Sequence, residues 1–427
     1  MASPHPPPLP AASPPVLPHV LALADDLSGA AETACALGGP VRLSLTAADV
    51  AGSAAAHDLV VDLDTRHLPP AAAAHAVRTA LRAAPSGPPR LLYKKVDSQL
   101  RGHLAAEAAA YAEGAEAVVI APALPAARRT VTGGVVHVNG VPLHRTDGWR
   151  AERAAAPRSL PEALSGLPVR TVPLDVVRAQ PGTLDAELRR IAASGAHPAP
   201  DAVTDADLDA VAAAVLRLGP GFRLLGSGGL AAALGRALVR PAATLPPAPG
   251  PAQDGAPLLF VVGTAEPGAV AQIAHLAALG AHHVPLDPAD LAAGTVRPPR
   301  TGAAAALTVL SIDGSAGLRP GAGRALSASL GALAAAYPGR PDLVLTGGET
   351  ARTTLDALGT SELEPLGEIH HGAVHSRTPD GRQVVTRPGS YGAEDSLLRI
   401  AVALRPRLAA TASASASTST STSTAAT

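Results

Sequence analysis

Lysine is almost absent from this 427-residue chain: lysine and arginine together number 34, and only Lys94 and Lys95 are lysine. The two stand side by side in the run Tyr93-Lys94-Lys95-Val96-Asp97-Ser98-Gln99-Leu100-Arg101-Gly102-His103. Arginine cannot replace lysine where a compact ammonium must meet a phosphate or a polarised hydroxyl. On composition alone, a solvated strand end explains the pair equally well. Cysteine occurs once, at Cys35, which excludes an internal disulfide and any multi-cysteine zinc site. Aromatics make up 2% and methionine appears only as Met1, so the core must be built from Ala, Val, Leu and Ile. Neither sign of charge is in excess: the net charge is −1 and the pI near 7.0, which argues against a nucleic-acid or polybasic membrane partner. No apolar run approaches the roughly 20 residues of a membrane span. The Pro-rich start lacks the basic and apolar regions of a signal peptide. The expected location is the cytoplasm.

Low-complexity segments flank a patterned middle. Residues 1–17 are mostly Pro, Ala and Ser, and 408–427 form an Ala/Ser/Thr tail. Both are too poor in large apolar side chains to pack and are expected to be disordered. Between them, short apolar runs alternate with Ala/Leu-rich stretches, the pattern of α/β architecture. Strands are expected at Val20 to Ala24, Asp58 to Asp62, Leu91 to Lys95, Ala117 to Ala121, Arg223 to Gly226, Leu258 to Gly263, Ala306 to Ser311 and Asp342 to Thr346. Helices follow most of them, for example Ser28 to Leu37, Leu104 to Glu113, Gly229 to Leu238 and Thr350 to Leu358. The aperiodic Pro/Gly/Ala stretch 241–257 reads as a linker between two α/β domains, 18–240 and 258–407.

Polar residues just beyond strand ends carry functional weight in an open α/β sheet. Asp25 and Asp26 follow one strand and precede a helix, where they can take a proton, hold Mg²⁺ or simply cap the helix. At a second strand end, Lys94, Lys95, Asp97, Ser98 and Arg101 suit an anionic, hydroxylated small molecule, although a helix cap with solvated neighbours fits the same residues. Arg66 and Arg129 follow two further strands, where their guanidinium groups can fork onto a carboxylate. Beyond the linker the polar positions become glycine loops: Gly263-Thr264, Gly347-Gly348-Glu349-Thr350 and Arg387-Pro388-Gly389-Ser390-Tyr391-Gly392. Such loops let backbone N–H groups approach phosphate, and a helix N-terminus favours its charge. Neither a Walker A sequence nor a full G-x-G-x-x-G fingerprint is present. Gly226-Ser227-Gly228-Gly229 reads equally as a substrate contact or a packing turn. The pairs His282-His283 and His370-His371 do not make a metal site without a third ligand.

In this order the motifs resemble the four-carbon acid sugar kinase family, whose members show A-D-D-x-T-G, K-x-D-S-T-L-R-G, A-P-A-x-P-x-x-G-R-T, G-S, G-G-D-T and S-G-G-F-G. Here they read Ala24 to Gly29, Lys95 to Gly102, Ala121 to Thr130, Gly263-Thr264, Gly347 to Thr350 and Pro388 to Gly392. The resemblance runs from about Val20 to Leu404. It implies an N-terminal acid-sugar-binding domain, a C-terminal nucleotide-binding domain and an active site in the cleft between them. It also implies ATP-dependent phosphorylation of the terminal hydroxyl of D-threonate, D-erythronate or 3-oxo-tetronate, with Mg²⁺ screening the phosphates. On that basis Asp25 or Asp26 accepts the proton, and Arg66, Lys95, Asp97, Ser98, Arg101 and Arg129 hold the acid. Thr264, Gly347, Gly348, Glu349, Thr350 and Gly389 hold ATP. A homo-oligomer is compatible with the resemblance. Gln99, Arg128 and Pro388 depart from the family pattern, which leaves an inactive sugar-acid sensor as an alternative. A dinucleotide-dependent oxidoreductase is a further alternative, opposed by the missing fingerprint.

Overall fold

The computed structural model describes residues 18–52, 57–84, 90–150, 152, 154–238, 256–264, 267–298, 306–314, 323–389 and 392–408. The expected disordered ends, apart from Leu408, nearly all of the expected linker, and Ser390 and Tyr391 lie outside the described residues. Thirteen described strands join in one mixed sheet. From edge to edge they are His282–Leu286, Leu307–Ile312, Leu258–Val262, Asp342–Thr346, Gln383–Arg387, Ala373–Arg377, Glu362–His370, Val41–Ser44, Asp58–Asp62, Val20–Ala24, Leu91–Lys95, Phe222–Gly226 and Ala117–Ala121. The first five are mutually parallel, as are the last six.

Parallel strands buried on both faces read as continuous apolar runs. Leu258–Val262 is Leu-Leu-Phe-Val-Val, buried throughout. Leu258, Phe260 and Val262 point into one small core with Ile273, Leu397 and Ile400. Leu259 and Val261, on the other face, belong to a larger core shared with the N-terminal strands. That shared core makes the two halves one packed body rather than two lobes on a tether.

The antiparallel hairpin Glu362–His370/Ala373–Arg377 splices the halves. Its first strand pairs antiparallel with Val41–Ser44 through Glu362↔Ser44 and Leu363↔Leu43. Three polar contacts reinforce the junction. Arg42 forks onto Glu362 with both bonds at 2.7 Å, and Arg324 forks onto Asp64 at 3.0 and 2.5 Å. Arg352 Nη1 donates to buried Asp62 Oδ2 at 3.0 Å. Burial pushes the Asp62 carboxyl up to about 7 against the pull of Arg352, with Asp64 adding to the rise.

Smaller elements cover the pocket side of the N-terminal half. A three-stranded antiparallel sheet, Arg129–Thr132, Val135–Val138 and Val141–Pro142, follows the Ala117–Ala121 strand. The one tryptophan, Trp149, donates its indole N–H to the Gln99 carbonyl at 2.7 Å, which pins the loop after Lys95.

Candidate active site

Asp25 and Asp26 sit where the buried Val20–Ala24 strand turns into the Leu27–Leu37 helix. Asp26 is the helix N-cap: Gly29 N–H donates to its Oδ1 at 3.0 Å, an interaction worth about 1 kcal/mol. Capping and site chemistry therefore coexist in one residue, because the other oxygen faces the pocket and accepts from Arg66 Nη1 at 3.1 Å. Arg66 Nε also donates to Asp25 Oδ2 at 2.9 Å, so one guanidinium bridges both carboxylates.

The two carboxylates are driven apart in acidity. Burial opposes ionisation of Asp25, but Arg66, Lys94 and Lys95 outweigh it and hold its carboxyl below the ordinary range. Burial raises the Asp26 carboxyl, and repulsion from Asp25 and Asp97 adds to it over the pull of Arg66 and Lys95. Asp26 is thus the more basic and, at 17% side-chain exposure against 5%, the more open of the two.

The neighbouring strand supplies the lysine segment, with Lys95 the sheet partner of Ala24. Lys95 Nζ lies 3.4 Å from Glu32 Oε2 and donates to the Val96 carbonyl at 3.2 Å. Burial works against its charge, but Glu32, Asp26 and Asp25 keep the ammonium more basic than usual. Asp97 accepts from Arg101 through both oxygens, at 2.6 and 3.1 Å, and from the Arg101 backbone N–H at 3.2 Å. Although burial opposes it, Arg101 holds Asp97 well below the usual carboxylate range. Arg129 Nη1 donates to Ser98 Oγ at 2.5 Å. These side chains line a small cavity of about 70 Å³, together with Asp26 and Arg66. Asp25 stands behind Arg66 and is not part of the lining.

The second half approaches through backbone. Gly347, in the left-handed region at φ +100°, turns the Asp342–Thr346 strand into the Gly348–Ala357 helix. A Cβ on Gly348 would lie 2.9 Å from Asp26 Oδ2 and 3.4 Å from Ser28 Oγ, so only glycine lets this helix N-terminus touch the carboxylate. A Cβ on Gly389 would lie 3.4 Å from Thr264 Cβ and 3.8 Å from Gly347 Cα. Thr264, Gly347, Gly348 and Gly389 therefore converge. Thr350 packs behind them, its Oγ1 3.7 Å from where a Cβ on Gly347 would lie, whereas the Glu349 side chain turns away. Thr350 is buried with its Oγ1 3.5 Å from Ser327 Oγ, and Glu349 is exposed beside Gly323.

Ser28, in the first motif, and Ser227, in the turn that reads either as substrate contact or as packing, both line the cavity, whereas Glu32 and Gly372 escaped the sequence reading. The ADD-type opening gave no signal for Glu32, one helical turn past Ser28. Gly372 lies at the tip of the splicing hairpin, an element with no sequence signature. Of the three departures, only Pro388 lines the cavity. Gln99 turns its side chain toward Gly148, and Arg128 is exposed in the left-handed conformation at φ +53°. Among the described residues no group of three or more His, Cys, Asp or Glu is placed to hold a metal ion, and no helix is long and apolar enough to cross a membrane.

Comparison with known proteins agrees with this division of labour. Residues 20–234 match a sugar-binding N-terminal domain and residues 259–397 a nucleotide-binding C-terminal domain. A D-threonate kinase of Cupriavidus necator is 36% identical over 404 residues, 88% of this chain and 96% of the relative. Another, of Bordetella bronchiseptica, is 34% identical over 419 residues, covering 91% and 98%. Solved proteins from Salmonella typhimurium LT2 and Haemophilus influenzae share the fold, with TM-scores of 0.72 and 0.65 at 19% and 18% identity. They cover 90% and 89% of this chain, and 98% of each is matched. With sugar-binding and nucleotide-binding domains in sequence and relatives matched over about nine-tenths of its length, the chain belongs to the four-carbon acid sugar kinase family.

Proposed function

We propose that this kinase transfers the γ-phosphoryl group of ATP to the terminal hydroxyl of a four-carbon sugar acid of the D-threonate type, with Asp26 as the group that takes the hydroxyl proton. The observation that carries the reading is the contact between Gly348 and Asp26. It sets the N-terminus of a ten-residue helix, a natural seat for phosphate, against the more basic of two paired carboxylates. The acid would lie among Arg66, Lys95, Arg101 and Arg129, with its carboxylate taken by guanidinium and its hydroxyls by Asp97 and Ser98.

In the transfer the hydroxyl oxygen bonds to the γ-phosphorus, the bond to the ADP oxygen breaks and the proton passes to Asp26 Oδ2. Phosphoryl transfer rests mainly on positioning and charge neutralisation. Asp25 stays ionised and fixes Arg66, which in turn orients Asp26. The close approach of Gly347, Gly348 and Gly389 to one another and to Asp26 supports a reading in which their backbone N–H groups meet the phosphate oxygens. Mg²⁺ would enter with the nucleotide and screen its phosphates.

The direct test is Asp26→Asn, assayed by coupled ADP release across C4 sugar acids. We expect kcat to fall by about 10²- to 10⁴-fold, the usual scale of a lost general base, with the KM for the acid changed only slightly. Full turnover in that variant would remove Asp26 from the mechanism. The same assay on Asp25→Asn separates the proton acceptor from its partner.

A further inference from the structure

The two lysines point to opposite faces of one strand, and only Lys95 reaches the cavity. Lys94 is completely buried between sheet neighbours Leu23 and Leu225, both fully buried. Its Nζ lies 2.7 Å from Oε2 of Glu107, a residue of the Leu104–Ala112 helix that is itself 2% exposed. The same Nζ donates to the backbone carbonyl of Lys95 at 3.1 Å. The second Glu107 oxygen, Oε1, is buried without a hydrogen-bond partner. A buried ion pair with an orphaned oxygen is a poor way to gain stability, since a well-packed apolar pair of the same volume commonly does as well or better. Its geometry suggests a different use. One end is anchored in the helix that follows the acid-binding segment, and the other grips the peptide group of the residue whose ammonium faces the substrate.

We propose that the Lys94–Glu107 pair is a positioning device for the kinase reaction: it clamps the Lys95 carbonyl from behind the sheet and so fixes where the Lys95 ammonium stands in the acid pocket. Lys94 touches no substrate and acts only through its neighbour. An arginine could pair with Glu107, but it would bring a larger planar group into this fully buried slot, where lysine supplies a compact ammonium with rotatable donors. That accounts for a lysine kept here in a chain that otherwise uses arginine. The proposal rests on the placement of the acid beside Lys95.

The experiment compares wild type with Lys94→Met, Glu107→Leu and the double variant, following melting temperature, kcat and both KM values. The single variants each strand a buried charge and are expected to be less stable. The double variant restores an apolar slot and should melt near wild type, yet lose at least tenfold in kcat/KM for the acid with an unchanged KM for ATP. A purely structural pair predicts that the double variant recovers kinetics along with stability, and that result overturns the proposal. Should the double variant fail to fold, Glu107→Asp decides. It keeps the charges but draws the ammonium off the carbonyl; unchanged acid kinetics there overturn the proposal, and a selective loss supports it. Wild type inactive on every four-carbon acid would overturn the pocket assignment and the proposal with it, whereas an active wild type matched by the double variant overturns the proposal alone.

Discussion

The two walls of the cleft are made of different material. On the N-terminal side the site is side-chain charge: Arg66, Lys95, Arg101 and Arg129 interleaved with Asp26, Glu32 and Asp97. On the C-terminal side it is mostly backbone, where Gly347, Gly348 and Gly389 meet beside Thr264. The difference suits the ligands proposed for each side. A small hydroxy acid offers one carboxylate and a few stereochemically fixed hydroxyls, which only placed donors and acceptors can discriminate. A triphosphate offers many equivalent oxygens, and a helix N-terminus with glycine turns satisfies them without any lysine.

That contrast can be broken at its point of contact. Gly348→Ala puts a methyl group 2.9 Å from Asp26 Oδ2, although alanine suits the helix better than glycine. Displacing the two walls by a fraction of an ångström to an ångström is expected to cost up to about 10²-fold in kcat. Stability should change far less, which steady-state kinetics and a melting curve would show together. Wild-type kcat in that variant would mean the two walls need not meet.

Lys95→Arg tests the charged wall alone. It keeps the positive charge but must fit a planar group between Glu32 and the Val96 carbonyl, tight against Gly29, where a Cβ would lie 2.8 Å from Lys95 Nζ. The acid KM should rise about tenfold or more while the ATP KM stays constant. Equal activity would show that charge suffices.

The junction between the walls carries a pH signature through Asp62. Its carboxyl titrates near 7 in the folded protein against about 3.9 in an unfolded chain, so the native state holds an extra proton between those values. Stability from this group is therefore present below pH 4 and falls as pH rises toward 7. Asp62→Asn should remove that slope, so that its melting temperature improves relative to wild type between pH 5 and pH 8. A constant difference would show that Asp62 is not protonated in the folded state. The smallest effect expected is at Arg128, which stands in the left-handed region where the family motif has glycine. Arg128→Gly should relieve about 1 kcal/mol of strain and leave kinetics untouched, as read by denaturant titration.

Residues adjacent in sequence made much of this legible. The expected strands Val20–Ala24, Asp58–Asp62, Leu91–Lys95, Ala117–Ala121 and Asp342–Thr346 are present with those bounds, because each is a short apolar run ended by turn residues. The expected helices differ only by a residue or two at their ends, for example Leu27–Leu37 for Ser28 to Leu37, since N-caps blur such boundaries. The strands Glu362–His370 and Ala373–Arg377 gave no such pattern. The first carries three Glu, a Pro and a Gly and is mostly half-exposed, and the second has only two apolar residues, so neither a buried apolar run nor a clean alternation marks them.

The sequence by itself determined which groups carry charge, which loops carry glycine and that both stand at strand ends, because these are properties of neighbours along the chain. Only the tertiary structure decided that Asp26, not Asp25, is the open and more basic carboxylate, that Gly348 rests against it, and that Lys94 turns away to meet Glu107. Burial, long-range charge and contact between chain-distant elements set those outcomes. None of them exists until the two halves pack around their shared core.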